Sequence, residues 1–205
     1  MKKSFFFFFL VFALASSLLA AFSGVGVSQA CVGRILRMGV VDGRSSRAVA
    51  ELYIVLIAER TGTTAKPVFF KNEQLMYQAA AKGQLDFLID DTEQAMAEAD
   101  AIGVRVGRSS APEKTYLALK GAFEQRLGLI WLAPFPMRGL NGRSALGAPV
   151  IRQKALQNFP ALPRVLNMLA RFLNTGSVER LAAQTSSEAG LKRAAENFLK
   201  ERRLI

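Results

Sequence analysis

The chain has 205 residues, 51% of them hydrophobic and 21% charged, with a formal charge of +11, one cysteine and no histidine. That balance describes a folded protein and excludes a disordered one. The missing histidine removes Ser-His-Asp and Cys-His nucleophile arrangements and the commonest zinc ligand sets, and a lone cysteine excludes an internal disulfide.

The chain opens on Lys2 and Lys3, a phenylalanine-rich apolar run from Phe5 to Phe22, and Ser28-Gln29-Ala30, which fits the small-x-small rule for signal peptidase. Residues 1–30 therefore read as an export signal, with a retained anchor as the competing reading of the same run. The expected product is residues 31–205, one domain large enough to bury a core and working in the periplasm. Cys31 directly follows the cut, where a lipid-modified cysteine stands. Ser28 occupies the place where a lipobox carries leucine, so the sequence favours a soluble product, with lipid anchoring through Cys31 as the alternative.

Residues 35–41 form an apolar run stopped by Asp42-Gly43, a strand and its turn. Ser45 or Ser46 is expected to cap the next helix, apolar almost all round and ending at Gly62. A strand over 65–70, a helix from Asn72 to Gly83, a strand over 85–89 and a helix opened by Asp91-Thr92 follow. Residues 102–106 read as a further short strand. Pro112-Glu113 opens a helix that ends near Gly128, and residues 129–132 form a buried strand. From Arg152 onward the pattern is helical: 153–158, 162–173, a helix from Ser177, and a last one opened by a Thr185-x-x-Glu188 capping box. Strands alternating with helices predict an α/β lobe whose mostly parallel sheet is flanked by helices, with 36–41, 67–70, 85–89 and 129–132 as neighbouring strands.

In such a sheet ligands bind at the carboxyl ends of the strands. The loop residues there are Asp42 and Ser45 after the first strand, Asp91 and Thr92 after the third, and Phe135 after the last, with Trp131 inside that last strand. Each has a plain structural alternative: a turn at Asp42-Gly43, an N-cap at Asp91, a core position for Trp131. Helix N-termini favour an anion, whereas Asp42, Asp90 and Asp91 favour a cation unless Arg44 neutralises them. Adjacent Asp90 and Asp91 point different ways at a strand end, so they do not make a catalytic pair. With no histidine, cysteine pair or phosphate-binding glycine loop, no enzyme and no cofactor are expected. Export removes nucleic acid as a partner, and the scattered basic residues read as a solvated face that brushes an anionic membrane surface.

Ala50-Glu51-Leu52, Thr61-Gly62, Gly83-Gln84-Leu85-Asp86, Asp90-Asp91-Thr92 and the piece Gly128 to Phe135 occur in an order that resembles substrate-binding proteins of osmoprotectant ABC transporters, the glycine betaine/choline type. The segment from Ala148 to Asn174 is similar to that family's C-terminal return. The resemblance implies a periplasmic binding protein type 2-like fold, a small-molecule ligand such as a quaternary ammonium, and an ABC permease as partner. It also places the ligand at Asp42, Ser45, Asp91, Thr92, Trp131 and Phe135. The sequence departs from the family at Asp91, where an aromatic is expected, and at Glu93, where glycine is expected; quaternary ammoniums are held by aromatic cages. Residues 136–147 stand where the family has a whole second lobe, far short of an independent domain. The expectation is a one-lobed, weakly binding solute-binding component, with an envelope interaction module derived from a binding protein as the alternative.

Overall fold

The structure, a computed structural model, describes residues 34–101, 103–107, 109, 111–139, 143–184 and 187–205. The expected export signal, residues 1–30, and Cys31 lie outside them. Strand β1 (Leu36–Val41) leads into α1 (Arg44–Thr61), β2 (Ala65–Phe70) into α2 (Glu73–Ala81), and β3 (Phe87–Asp91) into α3 (Thr92–Ala101). Helix α4 (Pro112–Leu127) precedes β4 (Leu129–Trp131), β5 (Phe135–Arg138) and β6 (Ser144–Arg152). Helices α5 (Gln153–Asn158), α6 (Leu162–Ala170), α7 (Thr175–Ala183) and α8 (Glu188–Glu201) complete the chain. None of the described helices is long and apolar enough to cross a membrane.

The local signals mark most helix ends. Helices α1 and α4 stop at Gly62 and Gly128, both in the left-handed conformation that glycine adopts without penalty. Asn72 caps α2 by accepting from Leu75 N at 3.0 Å, and Pro112 stands at the start of α4. Two expected caps differ. Helix α1 begins at Arg44 with Gly43 as its N-cap and no side-chain cap, so Ser45 and Ser46 lie inside the first turn. Helix α8 is capped by Ser187, whose Oγ accepts from Gly190 N at 3.2 Å. This cap replaces the box expected at Thr185, which lies outside the described residues.

The strands form one sheet in the order β2-β1-β3-β6-β4, with β5 also paired to β6. Pairings β1·β2 and β1·β3 are parallel, while β6 runs antiparallel to β3, β4 and β5. Five strands therefore share one direction and β6 alone is reversed, giving a mostly parallel sheet. The expected adjacency of the third and last strands is corrected: β6 lies between them. β5 and β6 are an antiparallel pair, and beyond it Gly139 N donates to Arg143 O at 2.9 Å. Of the expected strand over 102–106, residues 103–106 show no strand, and the third strand is shifted to Phe87–Asp91 because its pairing with β6 carries it that far.

Strand β6 is missed by sequence reasoning because Gly147 and Pro149 read as breakers, and proline is rare in a central strand. The register explains how Pro149 is tolerated. Arg152 N donates to Asp86 O, so alternate residues of β6 face β3 and the nitrogen of Pro149 faces the opposite edge. Leu132 N donates to Pro149 O at 3.0 Å, but Pro149 has no N–H to return to Leu132. The Tyr116 hydroxyl, from α4, donates to Leu132 O instead and satisfies that buried carbonyl.

Alternation along the strands feeds two cores. Leu36, Met38, Val40, Phe87 and Ile151 pack against α1 and the α6–α8 layer, while Leu88, Val150, Leu129 and Trp131 pack against α2, α3 and α4.

Candidate functional site

Strands β1 and β3 are parallel neighbours, with Met38 opposite Phe87 and Gly39 opposite Leu88. Continuing that register sets Asp42 level with Asp91, so the start of α1 and the start of α3 meet one rim of the sheet. The strand geometry thus sets Asp42 and Asp91, with the helix starts that follow them, at one end of the sheet.

The side chains there do different work. Asp42 is exposed and held in a fork by Arg47, whose Nε donates to Oδ1 at 2.7 Å and Nη2 to Oδ2 at 3.1 Å. The Arg47 hydrogen bonds hold the Asp42 carboxyl below its ordinary value. The neutralising cation is therefore Arg47 and not Arg44, and its guanidinium also stacks over Phe69 at 4.1 Å. Ser45 is half-buried in the first turn of α1.

Asp91 is 2% exposed and turns its Oδ1 onto the first turn of α3, accepting from Glu93 N at 2.8 Å and Gln94 N at 3.1 Å. It is an N-cap. Burial raises its carboxyl to about 6, with the two backbone bonds pulling the other way. Thr92 Oγ1 accepts from Leu146 N at 3.2 Å and so ties α3 to β6.

Asp90 diverges from Asp91, as expected of alternating residues. Tyr77 on α2 donates its hydroxyl to Asp90 Oδ2 at 2.5 Å, and Asp91 N donates to Oδ1 at 2.8 Å. Burial, then the neighbouring Asp91 charge, pushes the Asp90 carboxyl well above the usual carboxylate range. Tyr77 is raised as well, first by burial and then by Asp90. Glu73, Glu93 and Glu98 add negative charge around these carboxyls, which makes this end of β3 the acidic pole of the sheet. Glu93 reaches the end of β5, where its carboxylate fills the space beside Gly139 and Oε2 is buried without a hydrogen-bond partner.

Trp131 and Phe135 lie at 0% and 1% exposure and serve the two cores. Trp131 packs edge-to-face with Phe123 at 5.9 Å and with Tyr116 at 6.0 Å. Phe135 sits opposite Gly147, which in turn pairs with Asp91 across β6. Hence the β5–β6 pair covers the rim behind Asp91, and the two open positions among the six expected residues are Asp42 and Ser45. Sequence reasoning misses the roles of Tyr77 and Glu93. A tyrosine on the apolar face of α2 does signal a hydroxyl in need of a partner, but nothing local names Asp90. Among the described residues no group of His, Cys, Asp and Glu side chains is placed to hold a metal ion.

No protein-family model matches the chain, and comparison with curated proteins gives no match. Solved structures do match. The crystal structure of a glycine betaine/carnitine/choline ABC transporter protein superposes with a TM-score of 0.66 at 11% identity, covering 83% of this chain and 98% of that one. Apo YehZ from Escherichia coli superposes at 0.68 with 12% identity, covering 83% and 99%. The fold is that of the periplasmic binding proteins. At such identity the likeness is one of backbone.

Proposed function

We propose that this chain is an extracytoplasmic solute-binding component of an ABC transporter, of the glycine betaine/choline type, reduced to one lobe. The observation that carries the proposal is the backbone likeness to the two solved structures, joined to the convergence of the β1 and β3 ends on one acidic rim. In this proposal residues 136–147 stand in place of the second lobe, and residues 31–205 are the working protein. A small-molecule ligand, with a quaternary ammonium as the leading candidate, meets Asp42 and Ser45 at the open surface, and a cation there must displace Arg47 from Asp42. Asp91 and Thr92 form the floor behind them, while Trp131 and Phe135 support that floor from the core. An ABC permease is the transport partner.

One lobe leaves much of a ligand in water, whereas good sites bury roughly 70–90% of it. Affinity is therefore weak, at about the millimolar level that corresponds to roughly 4 kcal/mol. Calorimetric titration with choline and with glycine betaine tests this, comparing the wild type with the double variant Asp42→Asn, Ser45→Ala. Weak heats that vanish in the variant support the site. Submicromolar binding by the monomer overturns the one-lobe proposal, and weak binding untouched by the variant discards these contacts.

A second reading has its own observation: edge strand β2 leaves Val68 and Phe69 exposed. An envelope interaction module would present that edge to a protein partner, and the absence of heat with either ligand favours it.

A further inference from the structure

Charge is divided unevenly along the chain. Residues 152–205 carry ten Lys or Arg against four Glu and no Asp, whereas residues 34–151 carry 15 basic and 12 acidic side chains. Two-thirds of the excess positive charge of residues 34–205 thus lies in the last 54 residues. Arg164, Arg180, Lys192, Arg193 and Lys200 are exposed on the helices of this layer.

Within it, α7 and α8 leave a cleft of about 220 Å³ between them. Arg180 and Gln184 line it from α7, and Asn197, Phe198, Glu201 and Arg202 from α8 and its end. Arg202 is fixed in place: its guanidinium lies 3.5 Å over the Phe198 ring, and Nη1 donates to Phe198 O at 3.0 Å and to Glu201 Oε2 at 3.3 Å. Both bonds use Nη1, which leaves Nε and Nη2 for a ligand. Glu201 is the one carboxylate in the lining and its side chain is 73% exposed, so it stands at the rim and not on the floor. Two guanidiniums and two side-chain amides in one cleft supply the donors that a phosphate takes, and planar forks hold phosphate better than point charges do.

We propose that the α7–α8 cleft binds the phosphate of an anionic lipid headgroup and so docks the basic helical layer on a membrane surface. The choice of a lipid over a free anion rests on the proposed extracytoplasmic location and on the surrounding exposed Lys and Arg, which are drawn to an anionic leaflet.

The test uses protein recovered from the cell envelope, carrying Cys31→Ser so that no acyl chain contributes. It is sedimented with phosphatidylglycerol/phosphatidylcholine vesicles and with phosphatidylcholine alone. Binding is expected only to the anionic vesicles and falls with added salt. Loss of one basic side chain near such a surface costs roughly fivefold in affinity. Lys192→Gln, outside the cleft, shows that loss, and Arg180→Gln, inside it, a clearly larger one. Both side chains are exposed, and circular dichroism checks that each variant folds. Equal losses in the two variants, equal binding to neutral vesicles, or no vesicle binding overturns the proposal. So does calorimetric binding of inorganic phosphate, beyond that of chloride at matched ionic strength, without any vesicle binding, which assigns the cleft to a free anion. The choline titration is expected to be unchanged by Arg180→Gln, so this site and the rim site fail separately.

Discussion

One face of the sheet is covered by α1 and the α6–α8 layer, the other by α2, α3 and α4, and the two are built from different materials. Against α1 the core mixes aliphatic side chains, from Leu52, Leu56 and Ile57 to Leu166, Leu169 and Leu199, with rings such as Phe87 and Phe135. The opposite core is aromatic at its centre, with Tyr77, Phe123, Trp131 and Tyr116 in successive edge-to-face contacts. It also takes in polar groups: Asp90 bonded to Tyr77, buried Glu98, and the Tyr116 hydroxyl on the carbonyl that Pro149 leaves unpaired. Burial alone stabilises the first face, and its helices are free to carry a basic outer surface. The second face depends on directed bonds in a medium where an unmet polar group is costly, so it is the face on which single polar changes tell.

Four substitutions break or sharpen that contrast, taken from the largest effect to the smallest. Trp131→Ala removes the ring on which Phe123 and Tyr116 both pack and leaves a cavity. It is expected to cost about 3–5 kcal/mol in urea unfolding, the cost of a large aromatic truncation. A loss below about 1 kcal/mol would show that the aromatic core is not what holds α4 to the sheet.

Asp91→Asn keeps an acceptor for Glu93 N and Gln94 N and removes a buried charge. The folded carboxyl holds its proton up to about 6, against 3.8 for the ordinary group. Its contribution is therefore fully present below about pH 4 and is lost as pH rises through about 6. The variant is expected to match the wild type near pH 3.5 and to exceed it at pH 8, by on the order of 3 kcal/mol. Thermal melts across that range decide it, and a gain that is largest in acid reverses the assignment.

Tyr116→Phe leaves the Leu132 carbonyl buried without a donor and is expected to cost roughly 1–3 kcal/mol. The same change at Tyr53, whose hydroxyl is buried in the core on the α1 face without a partner, is expected to cost nothing or to stabilise. Chemical denaturation of both variants measures the contrast directly, and equal losses would erase it.

Part of the rim was legible in the sequence. Asp91 with Gln94 three residues on is an N-cap pattern, and the structure makes that bond. Asp42 follows a strand and precedes a helix, which is enough to set it at the carboxyl end of β1. The fate of its charge was not legible, because Arg47 lies on the next helix turn among several basic residues and only the fold selects it over Arg44. Phe135 reads as a loop residue at the rim, with Trp131 beside it in the last strand, because no strand over 144–152 is legible in the sequence. With β6 in place between β3 and β4, both rings fall inside.

The sequence by itself determined where helices start and stop, since Gly62, Gly128, Asn72 and Pro112 act on their own backbone through local dihedral and capping preferences. It also determined the α/β class, because strand and helix periods alternate along one chain. Only the tertiary structure decided the place of β6, the bond from Tyr77 to Asp90 and the rescue of Leu132 by Tyr116. Each joins residues that become neighbours only once the sheet forms. A proline in a central strand is forbidden by local rules until a hydroxyl from a packed helix satisfies the carbonyl it leaves bare.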